Sequence, residues 1–210
     1  KDFLNLHKKV LALDNLLNFV EGKSNPVTDI VTENELSRDE KTVVPSNQQL
    51  FAIRELTSFV KNNKVFAYMK GYAGTGKTTI VIKWLFKVSG LKTENVYAVG
   101  HNEHSTKTIN DSLGTTQNTS IDDLIIKLES NILKNTELIV IDEINALPTA
   151  IITRILKGVQ DYNIRNKTNI KIIGMGDPNQ ITSNSAFGGT IVALEDSTDP
   201  IFDNNVLITP

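Results

Sequence analysis

Apolar side chains at Phe3, Leu6, Val10, Leu13, Leu17 and Val20 recur every three or four residues, the spacing of a helix over residues 2–20. Gly22 stops the pattern, and residues 22–47 are polar, with Pro26 and Pro45, as in a linker or an irregular surface segment. Fewer than three heptads are present, so this helix is expected to pack on its own domain or on a missing remainder rather than in a coiled coil. From residue 46 the pattern changes to helices alternating with short apolar runs. Leu50, Ile53, Leu56 and Phe59 or Val60 predict a helix over 48–60. Val65 to Lys70 reads as a strand, followed by a glycine-rich turn and a helix from Thr78 to Val88 that Gly90 ends. Val96 to Val99 is a short strand and Thr106 to Leu113 a helix. Leu138 to Ile141 is a buried-type strand, Thr149 to Val159 a helix with Pro148 at its entrance, and Ile170 to Met175 another strand. Such alternation predicts an α/β fold whose parallel sheet carries helices on both faces. The expected division is an N-terminal helix and linker over 1–44 and an α/β domain over 45–210.

Gly71-Tyr72-Ala73-Gly74-Thr75-Gly76-Lys77-Thr78 fits G-x-x-x-x-G-K-(S/T) in full, and it lies where that pattern needs to lie, between a strand and a helix. A P-loop NTPase core follows. Glycines let backbone N–H groups converge on phosphate oxygens, and the helix N-terminus adds partial positive charge. Lys77 is the expected point charge for the β- and γ-phosphates of ATP, and the Thr78 hydroxyl the expected ligand for Mg²⁺. Gly71, Gly74, Thr75, Gly76, Lys77, Thr78 and Thr79 form the expected phosphate-binding set. A chance glycine-rich turn is a poor rival to so complete a motif in that context.

Leu138 to Ile141 runs into Asp142 and Glu143, two carboxylates where an apolar strand ends. Ligands of open parallel sheets bind at the carboxyl ends of strands, so this pair can meet the P-loop. Asp142 is the candidate holder of Mg²⁺, directly or through water, and Glu143 the candidate base or orienting group for the attacking water. Alone, an Asp-Glu pair after a strand is an ordinary exposed turn; behind a full P-loop it reads as a site. The next strand runs into Gly176-Asp177-Pro178-Asn179-Gln180, which again delivers polar groups to that edge. Gln180 is a candidate partner for the γ-phosphate or the attacking water. Asp-Pro-Asn also reads as a type I or II turn, which could be what aims the glutamine.

Composition narrows the classes without choosing among them. The 210 residues carry a formal net charge of −2, with 40% hydrophobic and 22% charged residues, ordinary for a soluble globular chain. That balance exerts no global pull toward nucleic acid, so any such contact needs a local patch. The absence of cysteine excludes disulfides, thiolate metal sites and a cysteine nucleophile. No apolar run approaches a membrane span and no signal peptide is visible, so no membrane partner is expected. The expected compartment is the cytoplasm of a bacterial or virus-infected host cell. The chain opens on Lys1 and stops just after Val206-Leu207-Ile208, and it reads as a piece of something longer.

Taken in order over residues 45–182, these motifs resemble the first RecA-like domain of a superfamily 1 helicase, nearest the RecD-like and Dda-like group that moves 5′ to 3′ along DNA. Gly71 to Thr78 resembles motif I, Ile141 to Asn145 motif II, and Gly176 to Gln180 motif III, which in the family links γ-phosphate state to the DNA-binding surface. Ser46 to Ile53 is similar to the Q motif, making Gln49 the adenine reader, with Gln48 a substitute. Ala98 to His101, with Ser105 to Ile109, looks like motif Ia, and Thr119 to Leu124 like motif Ib. The resemblance implies a RecA-like parallel sheet with an N-terminal helical extension, Mg²⁺ and ATP as cofactors, and single-stranded nucleic acid as partner, without separating DNA from RNA. It also implies catalytic roles for Lys77, Glu143 and Gln180. The implied strand contacts are His101, Ser105, Thr106, Lys107 and Thr119, each equally readable as an ordinary surface residue. His101 and His104 suggest a metal pair, but no third ligand accompanies them.

Three departures from the family pattern stand out. Gly100 replaces the hydroxyl residue usual before the histidine, which bears on one phosphate contact. Asn145 replaces a common serine, which bears on coupling more than on binding. Leu124 to Leu138 is too short for the subdomain with a strand-separating pin that relatives insert there. The family's second RecA-like domain, expected in the parent protein, supplies arginines that stabilise the transferring phosphoryl group. None of Arg38, Arg54, Arg154 and Arg165 lies in such a motif, so weak turnover is expected of this piece alone. Two rivals stay open: a P-loop ATPase of another class, such as a RecA- or AAA-type motor, and a non-catalytic nucleotide-binding docking module of a larger polyprotein.

Overall fold

The computed structural model describes residues 45–177, apart from Asn118 and Lys134, together with a short strand at Leu207–Ile208. The helix expected over 2–20 and Gln180 lie outside the described residues. Five strands form one parallel sheet: β1 (Phe66–Lys70), β2 (Val96–Val99), β3 (Leu138–Ile141), β4 (Lys171–Gly176) and β5 (Leu207–Ile208), in the order β2-β3-β4-β1-β5. Among the described residues the longer helices are α1 (Asn47–Lys61), ahead of β1, then α2 (a π-helical turn at Lys77–Ile82 continuing as an α-helix over Lys83–Ser89), α3 (Glu103–Leu113), α4 (Ile121–Glu129) and α5 (Thr149–Asn166), with short 3-10 turns at Thr93–Asn95 and Ile144–Ala146.

Strand alternation divides the apolar side chains into two layers. Ala67, Met69, Ala98, Val140 and Ile173 face the layer built with Leu50, Ile53, Leu56 and Phe59 of α1, Ile82 and Leu85 of α2, and Ile109 of α3. Phe66, Tyr68, Val99, Ile139 and Ile172 face the other layer, with Leu124 and Leu128 of α4 and Ile152, Ile155 and Val159 of α5. Each layer buries about ten large apolar side chains or more, and each such burial contributes roughly 1.5–3 kcal/mol. The covered two-faced sheet expected from the pattern is what forms.

Helix ends follow their caps. Ser46 and Gln49 make a reciprocal capping box, Ser46 Oγ accepting from Gln49 N–H at 3.3 Å and Gln49 Oε1 from Ser46 N–H at 2.8 Å, so α1 starts at Asn47. Gly90 closes α2 in the left-handed conformation, as expected. Three expectations are corrected. The helix expected from Thr106 starts at Glu103, because Asn102 caps it through Ser105 N–H. The helix expected to end at Val159 runs to Asn166. Helix α4 was not expected at all, although Ser120 caps it and Asp122 and Asp123 suit its first turn. It occupies the short span before β3.

Candidate functional site

The sheet brings the ends of β1, β2, β3 and β4 to one edge. Gly71 N–H donates to Gly176 C=O at 2.9 Å, and Asp142 N–H to Val99 C=O at 2.8 Å, so each loop leaves the sheet bonded to the neighbouring strand's end. The P-loop then turns through Gly76, which is left-handed at φ 78°. A Cβ at Gly76 would lie 2.8 Å from Ile80 Cδ1 and 2.9 Å from Gln49 Nε2, so only glycine fits. Gly76 C=O accepts from both Ile80 N–H (2.9 Å) and Val81 N–H (3.1 Å). That shared acceptor widens the first turn of α2, so a π turn replaces the plain α-helical start expected at Thr78.

Lys77 Nζ donates to Gly71 C=O at 2.6 Å and to Tyr72 C=O at 2.9 Å. Burial lowers its pKa, and the charges of Asp142, Asp177 and Glu143 pull it back up. Burial raises the Asp142 carboxyl above its ordinary range. Glu143 N–H, donating to Asp142 Oδ1 at 2.9 Å, opposes that rise; the Glu143 charge adds to it, and Lys77 and His101 oppose it. The segment from Ala73 to Thr79, containing Gly74, Thr75, Gly76, Lys77, Thr78 and Thr79, lines one cleft of about 270 Å³ with Asp142, Glu143, Gly176 and Asp177. Glu143 sits in the left-handed region at φ 52°, unusual for a side chain of this size and typical of sites where loop geometry is constrained.

Two residues of the site escaped the sequence reading. Asp177 Oδ2 accepts from Ala73 N–H at 2.8 Å, so the aspartate of Gly-Asp-Pro anchors the P-loop. Asn145 Nδ2 donates to Asp177 C=O at 2.8 Å, tying the acidic loop to the same anchor. Both contacts span long stretches of chain, so spacing carries no signal for them. Asn145 nonetheless occupies a flagged departure from the family pattern. Gln49 lies beside the P-loop, its Nε2 donating to Thr75 C=O at 2.8 Å while its Oε1 serves the α1 cap. One amide proton and one lone pair of Gln49 remain for a base edge.

The strand candidates separate by burial. Thr106 is buried and its Oγ1 accepts from Gly100 N–H at 3.0 Å; Thr119 is buried and its Oγ1 accepts from Lys127 Nζ at 2.8 Å. Both hydroxyls are spent inside the fold, which corrects the expectation that they face a strand. His101 and Lys107 are exposed, and Ser105 is half-buried in the first turn of α3. Among the described residues no cluster of three or more His, Cys, Asp or Glu could hold a metal. Mg²⁺ is commonly held by one or two carboxylates, with phosphate oxygens and water completing its shell. Asp142 and the Thr78 hydroxyl, which line the same cleft, are the groups that would fit it.

Residues 45–201 match the family described as AAA domain. The chain belongs to that family. This AAA domain also shares its fold with the Pif1 helicase from Candida albicans, at a TM-score of 0.52 and 17% identity, over 80% of this chain and 40% of that one. A double mutant of the Pif1 helicase from Bacteroides matches at a TM-score of 0.52 and 14% identity, over 81% of this chain and 42% of that one. The chain therefore spans about 40% of the length of these relatives. No curated protein matches it in sequence. The fold is a RecA-like P-loop domain, an architecture this chain shares with those two helicase structures.

Proposed function

We propose that this domain is the nucleotide-binding half of a superfamily 1 helicase or translocase, which binds Mg²⁺·ATP and couples its hydrolysis to movement on single-stranded DNA. The observation that carries this reading is the convergence in one cleft of a complete P-loop with Asp142 and Glu143, beside a motif Ia segment whose His101 touches Glu143. In this reading Lys77 neutralises the β- and γ-phosphates, and the P-loop N–H groups orient them. Thr78 and Asp142 would hold Mg²⁺, which supplies charge stabilisation at the phosphoryl oxygens. Glu143 orients and deprotonates the attacking water, and Gln180 is assigned to the γ-phosphate or that water. His101, Ser105 and Lys107 remain as strand contacts. A second RecA-like domain of the parent protein closes the cleft and contributes arginines, an addition of about 10³–10⁵ in rate in other P-loop enzymes.

Membership of the AAA domain family favours one second reading, a P-loop ATPase motor that does not travel on nucleic acid. Steady-state ATPase and fork-unwinding assays on the full protein carrying this chain separate the two. Turnover stimulated by single strands, together with strand separation, is expected of the helicase. Turnover indifferent to nucleic acid leaves the second reading in place.

A further inference from the structure

The P-loop has two sides with different neighbours. On one, Thr75 C=O accepts from Gln49 Nε2 at 2.8 Å. On the other, Gly71 N–H donates to Gly176 C=O at 2.9 Å and Ala73 N–H to Asp177 Oδ2 at 2.8 Å, both where β4 ends. Strand β4 lies beside β3, which runs into Asp142 and Glu143. Tyr72, between Gly71 and Ala73, therefore sits on the side of the loop where the carboxylates gather. Its carbonyl takes three donors: Thr75 N–H at 3.3 Å, Thr75 Oγ1 at 2.8 Å and Lys77 Nζ at 2.9 Å. With its backbone pinned in this way, the direction in which the Tyr72 side chain leaves the loop is fixed.

That side chain is left in solvent, at 57% exposure. The other large apolar side chains that stay exposed among the described residues lie elsewhere: Phe51, Ile126 and Ile164 on helices, and Ile132 ahead of β3, at the end of the strand away from the cleft. A solvent-facing aromatic ring at the rim of a cleft is the kind of surface that a partner covers. The charge around it says which kind of partner. Asp142, Glu143 and Asp177 line the cleft with a single cation, Lys77, and among the described residues no arginine reaches it. Arg154 is engaged with Glu129, and Arg165 with the carbonyls of Asp161 and Leu128, all on α4 and α5. Three carboxylates against one ammonium attract a further cation, and so does the π-face of a tyrosine.

A guanidinium answers both features at once. It stacks flat on an aromatic ring and keeps its N–H fork, in its own plane, for phosphate oxygens; an ammonium has no such plane. A base of a single strand also stacks on aromatic rings, but it brings phosphodiester charge toward three carboxylates. We propose that Tyr72 is the docking platform for an arginine of the second RecA-like domain, which stacks on the ring and directs its N–H groups at the γ-phosphate from the carboxylate side of the P-loop. This rests on the helicase reading above, which supplies the second domain, and it names the residue of this chain that receives it. The ring contributes nothing to nucleotide held by the open domain. It acts when the cleft closes, as a positioning residue for a cation that comes from outside residues 45–177.

The test compares Tyr72→Leu, which keeps an apolar side chain without a π-face, with Tyr72→Phe, which keeps the ring, in the full protein. Three quantities are measured: Mg²⁺·ADP affinity, affinity for ADP with aluminium fluoride as an analogue of the transferring phosphoryl group, and kcat with saturating single-stranded DNA. Tyr72→Leu is expected to lose about tenfold in kcat and in affinity for the analogue, at unchanged Mg²⁺·ADP affinity, the size of one partly desolvated cation–π contact. Tyr72→Phe should stay within about twofold of wild type in all three. A merely structural role for the ring would move ADP and the analogue together, and that result overturns the proposal. So does a Tyr72→Phe variant as impaired as Tyr72→Leu. A nucleotide-free single-strand affinity that falls in Tyr72→Leu gives the ring to a base, and a Tyr72→Leu loss that appears only as protein concentration rises gives it to a second copy; either overturns the assignment. A wild type indifferent to single strands removes the helicase reading and this inference together, whereas a stimulated wild type with an unresponsive Tyr72→Leu removes this inference alone.

Discussion

Two lysines are taken out of water at opposite edges of the sheet. Lys77, half-buried in the P-loop, donates to two backbone carbonyls, and the charges of Asp142, Asp177 and Glu143 offset part of the burial that lowers its pKa. Lys171, at the start of β4, is 2% exposed; its Nζ donates to Asn62 C=O and Lys64 C=O and lies 5.4 Å from the Phe59 ring centre. Burial lowers its pKa to about 8. Both ammonium groups rest on carbonyls, and among the described residues carboxylate charges act on the first alone. Carboxylates favour the charged form of a buried lysine, and in the function proposed above that charge is what Lys77 would offer a phosphate. Lys171 works as a fastener between the α1–β1 loop and β4, where charge is a cost.

The comparison breaks if Lys77 is replaceable. Lys77→Ala is expected to lower Mg²⁺·ATP affinity by about 10³-fold or more, because a charged donor to two phosphates is lost, while the fold remains. Calorimetry reads the affinity and thermal unfolding the stability; wild-type-like binding would sink the phosphate-loop assignment. Next in size is Glu143→Gln in the full protein. Nucleotide binding should persist while single-turnover hydrolysis falls by about 10²–10³, the contribution of a positioned base. Undiminished hydrolysis would mean that another group activates the water and that the acids around Lys77 serve its charge alone.

The nucleotide edge was the more legible of the two. Lys77, Thr78, Asp142 and Glu143 belong to short motifs with fixed local spacing, and the strands that carry them are continuous apolar runs, so sequence placed both. What escaped is what spacing cannot express. Asp177 reaches Ala73 across 104 residues, and Lys171 reaches Asn62 across 109. In the sequence Lys171 is one more charged residue at the head of a strand. The π turn at Lys77–Ile82 depends on Gly76 C=O serving two N–H groups, a matter of register rather than composition. Helix α4 was hidden because its first residues read as a strand-contact motif, and the same misreading put Thr119 at the surface. Thr106 was misplaced for a related reason: Asn102 begins α3 one turn earlier than the apolar spacing suggests, and Thr106 is one of that helix's buried residues with Ile109, Asn110 and Leu113.

The smallest expected effect sharpens the contrast from the other edge. Lys171→Met keeps the apolar stem of the side chain, one heavy atom shorter, but removes the charge and the donors to the two carbonyls. Five residue steps along β4 separate position 171 from Gly176, roughly 17 Å, so ATP affinity should be unchanged. Stability should respond, and in a pH-dependent way. The folded-state pKa of about 8 lies below the ordinary 10.5, so the charged form is disfavoured in the folded protein. Below pH 8 both folded and unfolded states carry the proton, and the cost of burying it is fully present. Between 8 and 10.5 the unfolded state still binds the proton and the folded state does not, so wild-type stability rises with pH through that window. The Met variant has no such titration. Urea unfolding of both proteins at pH 7.5 and 9.5 should therefore show the wild type gaining about 1–2 kcal/mol relative to the variant, the carbonyl hydrogen bonds to the ammonium tempering the shift. Equal changes in the two proteins would show that Lys171 stays charged without carboxylates, and the distinction between the two lysines would then have to rest on what their donors can exchange.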